Sequence, residues 1–340
     1  MKKSLKILSV FLAVLTFFSI LSAATPVFAE DVNEYIVDKE YTEKLLTEVV
    51  ENDTEEKAPI VKEIEEKREE TKKVYLREDG TYTAVISKTP IHYEKDGEWV
   101  DIVNDLKTDG DVVTNTAGNF NVEFPKEISE DDEIKIENGK ETITFSIVET
   151  EKSNGKVKNN KKQKQDKNKV SDEEIFNNDI SRTVSEIEYE DVLKNTNLEY
   201  VVTPTGVKEN IIVENKESLK KSYSFNITKG KLEAELDKSN NLYFKNSKGE
   251  VVFTIPAPVM TDSSGVISYD IDVKVKNLKK ETITLTYTPD KKWLNDKDRA
   301  YPVAIDPVIL LESDKEQVIE DSNYQLFLLL QCCRNIHYHP

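Results

Sequence analysis

The stretch VSEIEYEDVLKNTNLEYVVTPTGVKENIIV, residues 184–213, reads as strand, short link, strand, tight turn and strand. Leu198, Tyr200 and Val202 alternate with Glu199 and Val201, the period-two pattern of a half-buried strand. Thr203-Pro204-Thr205-Gly206 reverses the chain, because proline presets φ at the second turn position and glycine tolerates positive φ. The returning strand sets Val207, Ile211 and Val213 on one face, with Glu209 among them. A carboxylate among apolar side chains is costly unless it is paired or protonated. A structural ion pair is therefore expected for Glu209, with Arg299 as its base, in preference to a catalytic role.

Outward from this hairpin the chain continues in the same manner. Towards the N-terminus, Glu78-Asp79-Gly80 and Lys95-Asp96-Gly97 mark the turns of two hairpins, the first with Tyr82, Ala84 and Ile86 alternating. Short strands are expected at 120–124, 134–136 and 142–148, and beyond the central stretch at 222–227, 231–236, 242–244, 251–255 and 282–287. Pro256 and Pro258 cannot donate to a ladder, so IPAPVM belongs at an edge or crossing. Trp293 and Leu294 read as a plug, and residues 301–305 as a closing strand. Short, evenly spaced strands without helical periodicity predict a mainly β protein, an antiparallel β-sandwich.

Two segments differ in composition. Residues 30–73 carry sixteen acids and eight bases, and their weak apolar stripe, with Pro59 at a permitted first-turn position, predicts a short acidic helical arm. Residues 152–169 carry eight lysines and one acid among Asn, Gln, Ser and Gly, which predicts a disordered insertion over 152–172. The expected organisation is thus 1–29, 30–73, 74–151, 152–172, 173–310 and 311–340, with the sandwich in the third and fifth pieces. The first piece has Lys2, Lys3 and Lys6, an apolar run, and Val27-Phe28-Ala29, which together predict a signal peptide cleaved after Ala29. No stable membrane insertion is expected after cleavage.

Charge and cysteine usage exclude several classes. Removing the three lysines of the signal segment takes the net charge from −18 to −21, which opposes general binding to nucleic acid or anionic membranes. The only cysteines, Cys332 and Cys333, are adjacent and ill placed to bridge each other, so the body is expected to lack disulfides, as suits an exported Gram-positive protein. His92 has no partners at triad or zinc spacing, and Cys332, Cys333, His337 and His339 match no usual metal site. No catalytic residue, cofactor or metal is expected. The competing class is a carbohydrate-binding or carbohydrate-active sandwich, for which Tyr82, Tyr93 and Trp99 are the glycan-contact aromatics.

The segments YLREDGTYTAVISKTPIHYEKDGEWVDI, VLKNTNLEYVVTPTGVKENIIV, IPAPVMTDSSG and WLNDKDRAYPVAIDP occur in that order. Together they resemble the amino-terminal region of bacterial wall-associated RHS/YD-repeat proteins of the WapA type and their DNRLRE-domain relatives. The resemblance implies export, a cell-wall association with wall polymers as partners, and a non-catalytic scaffold or presentation role with no enzyme in this region. A toxin-delivery component is a further reading. VIEDS at 318–322 resembles the start of a DNRLRE domain, after which NYQLFLLLQCCRNIHYHP departs from the pattern, as a truncated or frame-shifted form would.

Overall fold

The computed structural model describes residues 58–87, 89–159, 179–306, 308–311 and 336–338. The Thr203–Gly206 reversal sets the register of its hairpin: Thr196–Thr203 pairs with Gly206–Val213, Thr203 opposite Gly206 and Tyr200 opposite Glu209. Leu198, Tyr200, Val202, Val207, Ile211 and Val213 are all buried, as the alternation requires. The glycine is needed for a different reason from the one expected. Gly206 does not have a positive φ; instead a Cβ there would lie 2.1 Å from the carbonyl oxygen of Ile309 on the adjoining strand. Only a residue without a side chain permits that approach.

This hairpin lies in a twelve-stranded antiparallel sheet, which faces an eight-stranded antiparallel sheet. The second sheet runs, edge to edge, through Ile271–Lys276, Thr282–Pro289, Tyr223–Thr228, Glu141–Ile147, Ile134–Asn138, Asn121–Pro125, Val112–Ala117 and Val103–Asp109. One continuous apolar core joins the two. Tyr200 packs against Phe124 at 5.5 Å and Phe145 at 6.0 Å between ring centroids, and Tyr189 donates from its hydroxyl to the Pro125 carbonyl at 2.5 Å. Burying aromatic rings of this size supplies much of the favourable free energy of a sandwich interior. At one end, Lys291–Leu294 forms a single helical turn capped by the Asp290 carboxylate and buries Leu294, the expected plug.

A smaller region is built from a four-stranded sheet of Ile60–Glu63, Lys72–Arg77, Tyr82–Ile86 and Ile336–Tyr338, beside a hairpin of His92–Lys95 and Glu98–Asp101. Asp96 and Gly97 take positive φ at the hairpin tip, as an Asp-Gly turn requires. The core of this region is small: Tyr75, Val85, Ile91 and Ile180, with Ile60 packed against it.

Three expectations are corrected here. The helical arm is not found in the described part of 30–73: Ile60–Glu63 is a strand hydrogen-bonded to Lys72–Arg77, because β-branched Ile60 and Val61 suit a pleated surface. Residues 30–57 lie outside the described residues, as does the signal segment. The expected disorder over 152–172 does not hold for its first part, since Ser153–Asn159 is a strand paired with residues 185–189 and with Glu127–Ile128, and residues 160–172 lie outside the described residues. In the first hairpin Val85, rather than Ile86, enters the core, and Ile86 is exposed. The strands Val103–Asp109, Val112–Ala117, Ile271–Lys276 and Val308–Leu311 were not foreseen. Among the described residues no helix is long and apolar enough to cross a membrane.

Candidate functional site

Glu209 is buried at 4% exposure, on the core face of its strand. Its partner is the residue directly across the ladder: the Tyr200 hydroxyl donates to Glu209 Oε1 at 2.5 Å. Burial raises the Glu209 pKa to about 8, the Tyr200 hydrogen bond offsets part of this, and the charge of Asp306 adds to it. The group is a neutral acid at pH 7. Asp306 is held by Lys208 at 3.2 Å. The Tyr287 hydroxyl, contributed by the facing sheet, is fully buried and has no hydrogen-bond partner among the described residues. Glu209 and the Tyr287 hydroxyl are thus buried polar groups in the interior of the sandwich.

The expected Glu209–Arg299 pair does not form. Arg299 donates through Nη1 to Asp262 Oδ2 at 2.5 Å and through Nε to the Trp293 carbonyl at 3.1 Å. Its guanidinium also lies 3.5 Å from the centroid of the Trp293 ring. Asp262 accepts further bonds from Ser264 and from the Val266 amide, which fixes the Asp262–Gly265 turn. Burial raises the Asp262 pKa, but these hydrogen bonds outweigh it and hold the carboxylate well below its usual range. Arg299 therefore locks a loop, whereas Glu209 needs no base because it keeps its proton.

A second cluster lies in the small region. Lys73, 4% exposed, contacts Asp101 at 2.9 Å and Asp179 at 3.1 Å, and the Tyr75 hydroxyl donates to Asp179 at 2.5 Å. His92, 1% exposed, has Nδ1 2.6 Å from the Glu69 carbonyl and Nε2 3.4 Å from Asp101. Arg68 grips Glu63 through two hydrogen bonds and the Trp99 carbonyl through a third. Burial opposes ionisation of Asp101, but hydrogen bonds from His92 and Lys73 and the nearby Lys73 and Arg68 charges depress its pKa well below the usual carboxylate range. The cluster ties residues 63–101 to Asp179. Nothing in the sequence separation of these residues announces it.

The three aromatics do not form one surface. Tyr82 sits on the four-stranded sheet with the Lys67 ammonium over its ring at 4.6 Å. Tyr93 and Trp99 share a hairpin, but Tyr93 lies opposite Val100 and Trp99 opposite Glu94, so they project from opposite faces. Tyr93 alone lines a cleft of about 400 Å³. Among the described residues no group of side chains is arranged to hold a metal ion. The side chains of Cys332, Cys333, His337 and His339 lie outside that description.

The fold and these sites define an all-antiparallel β-sandwich with a small charged annex. The chain is similar to tRNA nuclease WapA of Bacillus subtilis strain 168, to the tRNA(Glu)-specific nuclease WapA of Bacillus subtilis subsp. natto and to the tRNA3(Ser)-specific nuclease WapA of Bacillus spizizenii. Each is 30% identical over 255 residues, which covers 72% of this chain. The chain spans only 10% of the length of these relatives. No family model and no solved structure matches it. The relation to WapA-type proteins supports that part of the resemblance read from the sequence, and the matches do not extend to its RHS-repeat and DNRLRE part. The expectation of no enzyme is corrected by the same finding, because all three relatives are named tRNA nucleases.

Proposed function

We propose that this chain is the exported sandwich region of a WapA-type, tRNA-directed nuclease protein, and that it holds that protein at the cell surface. The observation that carries the reading is a 30% match running through 72% of the chain and occupying a tenth of each named nuclease. A match so small within so large a protein suits a region that positions other parts. The buried interior and the acidic net charge of −18 suit a soluble body outside the cell. On this reading, residues 1–29 direct export, and residues 318–322 open a DNRLRE-like segment.

Fractionation of producing cells into medium, wall and cytoplasm tests the location. Recovery in wall and medium is expected, and retention in the cytoplasm rejects it. The exported fraction is then incubated with total tRNA. Cleavage that disappears when the gene is deleted supports the nuclease assignment, and cleavage unchanged by deletion rejects it. Glu209 is not assigned to glycan hydrolysis, because a buried acid cannot meet a sugar.

A further inference from the structure

The cleft beside Tyr93 is built where three hairpin tips converge. Tyr93 and Lys95 come from the 92–101 hairpin, Gly118 and Asn119 from the tip joining Val112–Ala117 to Asn121–Pro125, and Gly139 from the tip following Ile134–Asn138. Buried Asn115 fixes the middle tip. Its Nδ2 donates to Asn104 Oδ1 and to the Phe120 carbonyl, both at 3.1 Å, and its Oδ1 accepts from the Val122 amide at 3.0 Å. The cleft is therefore largely preformed, and its volume falls within the roughly 300–1,000 Å³ of small-molecule sites.

Its lining combines an aromatic ring with planar amides and a carboxylate. Tyr93 supplies an aromatic ring, and Asn119, Asn121 and Glu137 supply hydrogen-bonding groups. Glu137 pairs with Lys135 at 2.7 Å, and Asn121 accepts from the Thr114 hydroxyl at 2.9 Å while its Nδ2 meets Glu123 and Glu137 only at 3.4 Å. Among the described residues, the Tyr93 hydroxyl, the Asn119 amide and the Lys95 ammonium make no hydrogen bond or ion pair with another side chain. Free donors and acceptors beside a half-buried aromatic ring match a sugar ring, which has an apolar C–H face and a rim of hydroxyls that both donate and accept. A phosphate ligand is less well served, since Lys95 is the only cation in the lining and Glu137 opposes an anion. A wholly apolar ligand would strand the amides. One lining carboxylate, where glycoside hydrolysis ordinarily uses a pair, points to binding without cleavage.

We propose that this cleft is a saccharide-binding site, with Tyr93 as the stacking platform and Asn119, Asn121 and Glu137 as the hydroxyl partners. The site rests on the surface-held reading only for the setting in which it meets its ligand. Calorimetric titration of the full chain with cellotetraose, xylotetraose and chitotetraose tests it. Binding of at least one is expected, with an affinity loss of about tenfold for Tyr93→Ala and for Asn119→Ala, the scale of a lost stacking or hydrogen-bonding contact. Tyr93→Phe should keep most of the affinity, and Tyr82→Ala, on the other sheet, should keep all of it. Thermal unfolding of each variant separates loss of the site from loss of the fold. No binding of any of the three at millimolar concentration, or binding that survives Tyr93→Ala and Asn119→Ala in folded protein, overturns the proposal. Fractionation decides the cellular location separately, so either idea can fail alone.

Discussion

Glu209 in the sandwich and Asp101 in the small annex hold their carboxyl groups in opposite ways. Between the large sheets, Glu209 stays protonated and is satisfied by one tyrosine hydroxyl. In the annex, where only Tyr75, Val85, Ile91 and Ile180 form the core, Lys73, Asp101 and Asp179 stay charged and are packed against one another. Glu209 is met by a hydroxyl rather than a base, so burial leaves it protonated. Asp101 has Lys73 and Arg68 beside it and keeps its charge, as Asp306 does beside Lys208. The comparison teaches that a buried carboxyl group's charge depends on whether a base reaches it.

The strongest test of the sandwich half is Tyr200→Ala, which removes a 1%-exposed ring and, among the described residues, the one hydrogen-bond donor to Glu209. Destabilisation of about 4 kcal/mol is expected from the cavity and the orphaned acid, read by chemical denaturation. In the annex, Asp101→Ala leaves Lys73 facing Asp179 alone; a loss of about 3 kcal/mol is expected, at the low end for a broken buried pair because Asp101 is partly exposed. If Tyr200→Ala costs less than Asp101→Ala, the contrast between the regions fails.

Acidity sharpens the contrast. Glu209 keeps its proton to about pH 8 when folded but ionises near 4.5 when unfolded, so unfolding releases a proton between these values. Its contribution therefore falls as pH rises through that window, by about 1.4 kcal/mol per pH unit at steepest. Glu209→Gln should flatten this limb in denaturation curves taken from pH 5 to 9. Asp101 behaves oppositely: its folded pKa is depressed, so its contribution is present above the ordinary value of 3.8 and is lost as pH falls below it. Acid should remove the contribution of Asp101 and, in the same range, that of Asp262, whereas alkali removes that of Glu209. The smallest effect is expected for Arg299→Lys, about 1 kcal/mol in thermal or chemical unfolding, because lysine keeps the charge beside Asp262 but not the stack on Trp293.

Much of the sandwich was legible because alternation and turn chemistry agree residue by residue, as from Leu198 to Val213. The anomaly of Glu209 was legible too. Its partner was available from the same turn, since a two-residue reversal pairing Thr203 with Gly206 must bring Tyr200 opposite Glu209. Of the two ways to bury a carboxyl group, protonation applies here and pairing with a base does not. Ser153–Asn159 was hidden for a different reason. Its lysines look like solvated linker until the neighbouring strand supplies Glu186 and Glu188 to Lys158 and Glu190 to Lys156, while Val157 packs on the core. The Lys73 cluster joins residues about a hundred positions apart, and no local pattern encodes that. The cleft likewise needs three tips to meet, of which the sequence singled out only Tyr93.

The strand Val308–Leu311 lies between Val251–Ile255 and Gly206–Val213, in the interior of the larger sheet. The polypeptide thus inserts a late segment between two earlier ones, and Gly206 leaves room for it. During synthesis or passage out of the cell, neither neighbour can complete its ladder until residue 311 has emerged. Until then two raw edges invite mispairing with other chains. Assembly of this body is consequently a last-in step, and any shortening that removes residues 308–311 should yield aggregate in place of a slightly weakened sandwich.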